Sequence, residues 1–242
     1  MQQVMMMIDA LMKKPYIFIL LFVSVVSLQK VKGQQNDFQC WPSVQLNLEV
    51  IRNLKLHIEE ELRFSENVTQ IDRQINDFGI SYRINKYLKT ALYYRLEANW
   101  KNPDEYEWRN GFYADLSFRY DPGRFILGYR FRMQSSKVEL VGNEDPWFSG
   151  FRNRHKFGVE YDIKGIPLAP FIESELFAHA GGNEGYYLTA CRIWAGLKYN
   201  LNKMHEVTLK YGIDQQLNTP DPVRAYVVTV SYALNLKLPS VE

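Results

Sequence analysis

The feature that most constrains this chain is a period-two alternation of apolar and polar residues, sustained from Val44 almost to the C-terminus in runs of about 8 to 14 residues. In the final run Tyr226, Val228, Val230, Tyr232, Leu234 and Leu236 share one face, and Thr229, Ser231, Ala233, Asn235 and Lys237 share the other. The run before it opposes Val207, Leu209, Tyr211 and Ile213 to Glu206, Thr208, Lys210, Gly212 and Asp214. Successive side chains of a strand point to opposite sides, so each run has a greasy face and an ionic face. Further runs start near Val44, Leu54, Asn76, Leu88, Glu107, Phe125, Arg152, Leu168 and Tyr187, which makes eleven. No stretch beyond residue 33 shows a convincing helical period, so the expectation is an all-β chain.

Two architectures suit amphipathic strands. A soluble sandwich or binding barrel turns its apolar face inward, whereas an outer-membrane barrel turns it to lipid and lines its lumen with the charged face. Run length favours the second, because about 9–11 tilted residues cross a bilayer while ordinary strands average about 5–6. Aromatic residues also mark strand ends, as Trp100, Trp108, Tyr120, Tyr161, Tyr187 and Tyr199 do. Short links such as Asn85-Lys86, Asp121-Pro122-Gly123 and Leu201-Asn202-Lys203 alternate with longer ones, Ser65–Arg73, Lys101–Tyr106, Val138–Gly150, Gly181–Tyr186 and Leu217–Val223. The expected fold is therefore an antiparallel transmembrane β-barrel of about 10–12 strands. A soluble secreted β-barrel that binds a ligand is the alternative for the fold.

The N-terminus agrees with export. Lys13 and Lys14 precede an apolar run from Tyr16 to Leu28, and Val31-Lys32-Gly33 ends in a small residue, the layout of a cleavable secretory signal. The apolar run is shorter than the ~20 residues of a membrane anchor. The expected division is a signal peptide at 1–33, an N-terminal extension at 34–43 and the barrel at 44–242. Removing residues 1–33 takes away four of the 29 Lys+Arg and one of the 27 Asp+Glu, leaving a nearly neutral chain. Such a balance gives no reason to expect nucleic acid as a partner. Cys40 and Cys191 would meet an oxidising compartment, and sequence leaves open whether they pair.

Strand parity does not close. Counting from Leu54 gives ten strands with both termini at one end, and the clean alternation Val44, Leu46, Leu48, Val50 is then left over. Either a twelfth strand exists, or this segment enters unusually, with residues 34–43 passing through the lumen.

Several short motifs recur in one order: Trp41 before an amphipathic strand, Leu54–Phe64 ending Glu-Leu-Arg-Phe, Tyr82-Arg83 and Tyr129-Arg130, Arg152 with Arg154, and Glu173-Ser-Glu-Leu-Phe177. Over roughly Trp41 to Leu238 the chain resembles the bacterial family catalogued as domain of unknown function 2490, regarded as outer-membrane barrels of Gram-negative envelopes. The resemblance implies the barrel fold and the cell outer membrane, with outer-membrane lipid and the barrel-assembly machinery as partners. It supplies no catalytic residue.

For chemistry the residues offer little. The four histidines are His57, His155, His179 and His205. A catalytic histidine needs a nucleophile within hydrogen-bond reach, and beside His155 the position that would complete a Ser–His pattern is Phe157. His57 and His179 are expected to be satisfied by lumen carboxylates. No His/Cys spacing approaches a metal ligand set, so neither a metal nor a cofactor is expected. The expected interior instead carries both signs of charge, with Arg95, Glu97, Arg130, Arg132, Arg154, Glu173 and Glu175 as lumen-lining candidates beside ions such as Arg83, Asp115 and Arg192. A barrel of this size can fill its interior with side chains. The expected role is structural, or that of a narrow pore whose arginines attract a small anionic solute. An outer-membrane hydrolase, lipase-like or protease-like, is the alternative from another class, and the loop Val138–Gly150 is the candidate for partner binding.

Overall fold

The computed structural model describes residues 35–102, 105–135, 138–139, 151–180 and 185–239. Residues 1–33, read above as an export signal, and nearly all of the Val138–Gly150 loop lie outside them.

Among the described residues every regular element is a strand: β1 (Gln35–Cys40), β2 (Ser43–Ile51), β3 (Leu54–Ser65), β4 (Gln70–Arg83), β5 (Leu88–Asn102), β6 (Glu105–Tyr120), β7 (Phe125–Ser135), β8 (Val138–Glu139), β9 (Phe151–Tyr161), β10 (Leu168–Ala180), β11 (Tyr186–Asn200), β12 (His205–Gln216) and β13 (Val223–Lys237). From β2 to β13 each long strand pairs antiparallel with the next, and β13 returns to pair with β1 and β2, closing the sheet on itself. The short β8 pairs only with β6. With β1 and β2 taken as one interrupted strand, the wall has eleven strands. All eleven amphipathic runs of the sequence lie in it.

The closing seam resolves the parity problem. Gln35 pairs with Val223 and Lys237 with Glu49, both in parallel, and one offset of 188 residues serves β1 and β2 alike. An odd number of strands is joined by an even number of antiparallel steps, which brings the last strand back running in the same direction as the first. The barrel is thus mixed rather than uniformly antiparallel, and Gln35 and Lys237 lie at opposite ends. The stretch 34–43, read from the sequence as an extension, contributes β1 to the wall and does not run through the lumen. Its polar residues hid it, because β1 has an alternating strand neighbour only on its β13 side, apart from Cys40 opposite Phe64.

Two links expected to be long loops are mostly strand. β4 begins at Gln70, leaving 66–69 as the connection, and Asn102 pairs with Glu105. The turns at the Lys237 end follow local chemistry. Asn85 Oδ1 accepts from the amides of Tyr87 (2.8 Å) and Leu88 (3.0 Å), and Asn202 Oδ1 does the same for Met204 (2.8 Å) and His205 (2.9 Å). Gly123, at φ 68°, turns the chain between β6 and β7.

The polarity of the wall is inverted relative to a soluble domain. Val44 (59%), Ile172 (55%), Leu92 (53%) and Phe112 (53%) are exposed on the outside, while Glu97 (1%), Glu175 (3%) and Asp77 (4%) are buried inside. Cys40 and Cys191 are both free, on strands separated in the wall by β13 and β12.

Candidate functional site

The interior is a layered ionic network. Asp77 on β4 accepts from Arg95 Nε (2.7 Å) and Nη2 (2.5 Å) and from the Tyr113 hydroxyl (2.8 Å). Asp115 on β6 accepts from Arg132 Nε (2.7 Å) and Nη2 (2.8 Å) on the adjacent β7. Glu175 on β10 collects Arg130 (2.8 Å) and Arg154 (3.1 and 2.9 Å), with Arg192 at 3.9 Å. Lys156 donates to Glu173 (2.8 Å), and Arg192 to Asp214 (2.5 Å). The fork-to-carboxylate pairs are two-point contacts, which fix both side chains in orientation as well as position. Antiparallel neighbours make this possible, since Asp77 stands opposite Arg95 and Asp115 opposite Arg132 on the same face.

Aromatic side chains fill the spaces between the ions. Tyr93 and Tyr113 stack at 4.7 Å, and Arg132 lies 3.8 Å over the Tyr113 ring. The Tyr93 ring lies against Gly79, where any Cβ would overlap it. Trp41 projects inward at the break between β1 and β2. It meets Arg63 at 4.0 Å, Arg192 at 4.8 Å and Trp194 edge-on at 5.9 Å. The sequence marked Trp41 only as the residue before a strand; its parity with Ser43, a luminal position, was the available signal.

Three spaces that share lining residues follow from this packing. A central cavity of about 170 Å³ is bordered by Arg95, Arg130, Arg132, Arg154, Glu173 and Glu175, among others. Water occupies roughly 30 Å³ per molecule in the liquid, so the centre holds only a handful of waters. Toward the Gln35 end lies a vestibule of about 540 Å³, bordered by Glu97, Arg73, Arg152 and Arg192. Toward the Lys237 end lies another of about 830 Å³, bordered by Arg83, Lys89, Ser117 and Arg119. The seven luminal ions singled out in the sequence therefore fall into two groups: six around the centre, and Glu97 facing the Gln35-end vestibule.

The central cavity is lined by eight Lys or Arg and five Asp or Glu, and the Lys237-end vestibule by seven and two. A chain nearly neutral beyond residue 33 thus sorts its cations inward. An apolar depression of about 600 Å³ between Val159, Ile172, Ala195, Leu197, Leu209 and Tyr211 lies on the outer face.

His57 departs from its expected surroundings. Among the described residues no carboxylate holds it: Nδ1 donates to Asn47 Oδ1 (2.6 Å), and in the neutral ring Nε2 then accepts from Ser81 Oγ (2.7 Å). Asn47 in turn donates to Asn235 Oδ1 (2.9 Å), so the chain of bonds crosses β4, β3, β2 and β13. It has the nucleophile, base and orienting group of an acyl-transfer relay, with Ser81 only 3% exposed. The other histidines lie elsewhere. His155 contacts the Tyr129 hydroxyl (2.9 Å), His205 contacts that of Tyr232 (2.5 Å), and His179 lies against the Tyr187 ring at 5.2 Å. Among the described residues no group of three His, Cys, Asp or Glu is placed to hold a metal ion.

A family model described as Protein of unknown function (DUF2490) matches residues 38–225. The chain belongs to that family. The match begins in β1 and runs to the first residues of β13, so it takes in nearly the whole barrel wall. No curated protein matches the chain.

Proposed function

We propose that this member of the family is an integral outer-membrane barrel of the Gram-negative envelope, whose ionic centre holds the lumen nearly closed and leaves a narrow path for small solutes. The observation that carries the reading is the inverted wall: large apolar side chains are exposed around the outside, while carboxylates and guanidinium groups are buried within. A surface of that kind is unfavourable in water and favourable against acyl chains. Exposed aromatic residues support it by collecting near both rims, Tyr82, Tyr87 and Tyr120 at one and Tyr106, Phe151 and Tyr186 at the other. In this reading residues 1–33 are the export signal, lipid covers the outer band, and the barrel-assembly machinery inserts the chain. Fractionated envelopes test the location: the protein should pellet with outer membranes and need detergent to dissolve, and free solubility would refute it.

Conductance tests the lumen. The refolded protein in a planar bilayer should give small, rare openings, and the double variant Asp115→Ala/Arg132→Ala should enlarge them, because removing both partners opens the centre without leaving a lone buried charge. An unchanged trace would refute the ionic centre as the barrier.

A hydrolase is the second reading, favoured by the Ser81–His57–Asn47 relay. It requires the wall near Ser81 to open to substrate. A fluorophosphonate should then label Ser81, with the label lost in Ser81→Ala and His57→Ala; no labelling of the native protein would remove this reading.

A further inference from the structure

We propose that the Lys237-end vestibule is a binding site for a soluble, multiply charged phosphate compound, an oligophosphate or a polyphosphorylated small molecule, held first by Arg83, Lys89 and Ser117 and then by Arg130 and Lys156. This names the solute class for the lumen proposed above and rests on that lumen being reachable by solute.

The argument begins with strand register. Arg83 stands opposite Lys89, Lys89 opposite Ser117, Ser117 opposite Arg130, and Arg130 opposite Lys156. Five adjoining strands thus place four cations and a hydroxyl in a single luminal row. The first carboxylate of that row is Glu175, on the sixth strand. Strands in a barrel tilt, so a row along the hydrogen-bond direction also climbs along the axis. Here it starts near the rim, at Arg83, the last residue of β4, and Lys89, the second of β5, and reaches the central network at Glu175.

The ends of this row differ in how they are satisfied. Arg130 and Lys156 are bonded to Glu175 and Glu173. Arg83 and Lys89 have no salt-bridge partner among the described residues, although both face a space of about 830 Å³ lined by seven cations and two carboxylates. Like charges directly opposite one another on a sheet are destabilising, so the pair stands at a cost that an anion between them would remove. Arg130 also keeps a buried Nε without a hydrogen-bond acceptor.

The side chains suit phosphate. A guanidinium fork matches two phosphate oxygens, an ammonium adds a point charge, and the Ser117 hydroxyl can donate a third bond. Lys89 and Arg130 are two strands apart, about 10 Å at the backbone, so one orthophosphate engages one of the two cation pairs while a chain of phosphates reaches both. A concave basic surface between low-dielectric walls also raises the local concentration of such anions.

The test uses the full refolded barrel in nonionic detergent and equilibrium dialysis against inorganic triphosphate. Saturable binding is expected, tighter than that of orthophosphate, and weakened about tenfold or more in Arg83→Gln/Lys89→Gln, since each charge-assisted bond is worth roughly a factor of ten. Neither side chain has a salt-bridge partner to lose, so the double variant should keep the circular dichroism of the native barrel. Arg152→Gln, at the other vestibule, should bind as the native protein does. Equal binding by the double variant, or an equal loss in Arg152→Gln, overturns the proposal. Dioctanoyl phosphatidic acid, the lipid source of the same chemistry, should compete no better than orthophosphate; tight binding of that lipid alone would overturn the soluble source. A barrel that needs detergent and binds no triphosphate refutes this site alone. One that dissolves without detergent and still binds triphosphate refutes the membrane reading and keeps the site.

Discussion

Along the seam between β13 and β2 the inward side chains include Ser43, Asn47, Ser231 and Asn235, whereas along β7, β9 and β10 they include Arg130, Arg132, Arg154, Lys156, Glu173 and Glu175. The seam is joined on its inner face by neutral bonds between like residues: Ser43 to Ser231 at 2.8 Å and Asn47 to Asn235 at 2.9 Å. The facing wall is joined by two-point ion pairs. At this seam the register sets Ser43 opposite Ser231 and Asn47 opposite Asn235, hydroxyls and amides that both donate and accept. Antiparallel neighbours can alternate sign across the ladder. The seam thus carries a largely neutral stripe that ends at Glu49 opposite Lys237, with Trp41 filling the interior beside it, and most of the central ions lie on the remaining wall. The basic row ending at Arg83 and Lys89 is the unneutralised margin of that wall.

The contrast can be broken most severely at the ionic wall. Glu175→Ala strands Arg130, Arg154 and Arg192 around a lost carboxylate and should cost about 3–5 kcal/mol, read as a lower guanidinium midpoint of the refolded barrel. A change under 1 kcal/mol would show that lumen water satisfies these cations on its own. Trp41→Ala comes next, at about 3 kcal/mol or more, because it empties a buried site between Arg63 and Trp194. It should also widen the lumen beside the seam, seen as larger conductance.

At the seam the effects should be smaller. Asn47→Ala removes the acceptor of His57 and the donor to Asn235 and should cost about 1–2 kcal/mol. On the ionic wall, Asp115→Ala/Arg132→Ala should destabilise less than either single change, since neither partner is left alone. Gly123→Ala, away from both regions, should cost about 1 kcal/mol through its positive φ alone, and serves as the baseline.

Much of this was legible in one dimension. Residue parity sorted Glu97, Arg95, Arg132 and Glu175 from Leu96, Phe131 and Leu176, because a strand has only two sides and its period is fixed by the backbone. The eleven long runs and the turn chemistry of Asn85 and Asn202 were visible for the same local reason. Other features were not, and each depends on which strands become neighbours. β1 carries too few apolar residues to announce itself, and its strand conformation comes from pairing with β13. The parallel closure, the Asn235–Asn47–His57–Ser81 chain and the row from Arg83 to Lys156 join residues far apart in the chain. Alternation set which way each side chain faces; register, which only the closed sheet decides, set what it faces. Charge type is written in the sequence, and whether a charge finds a partner depends on the neighbouring strand.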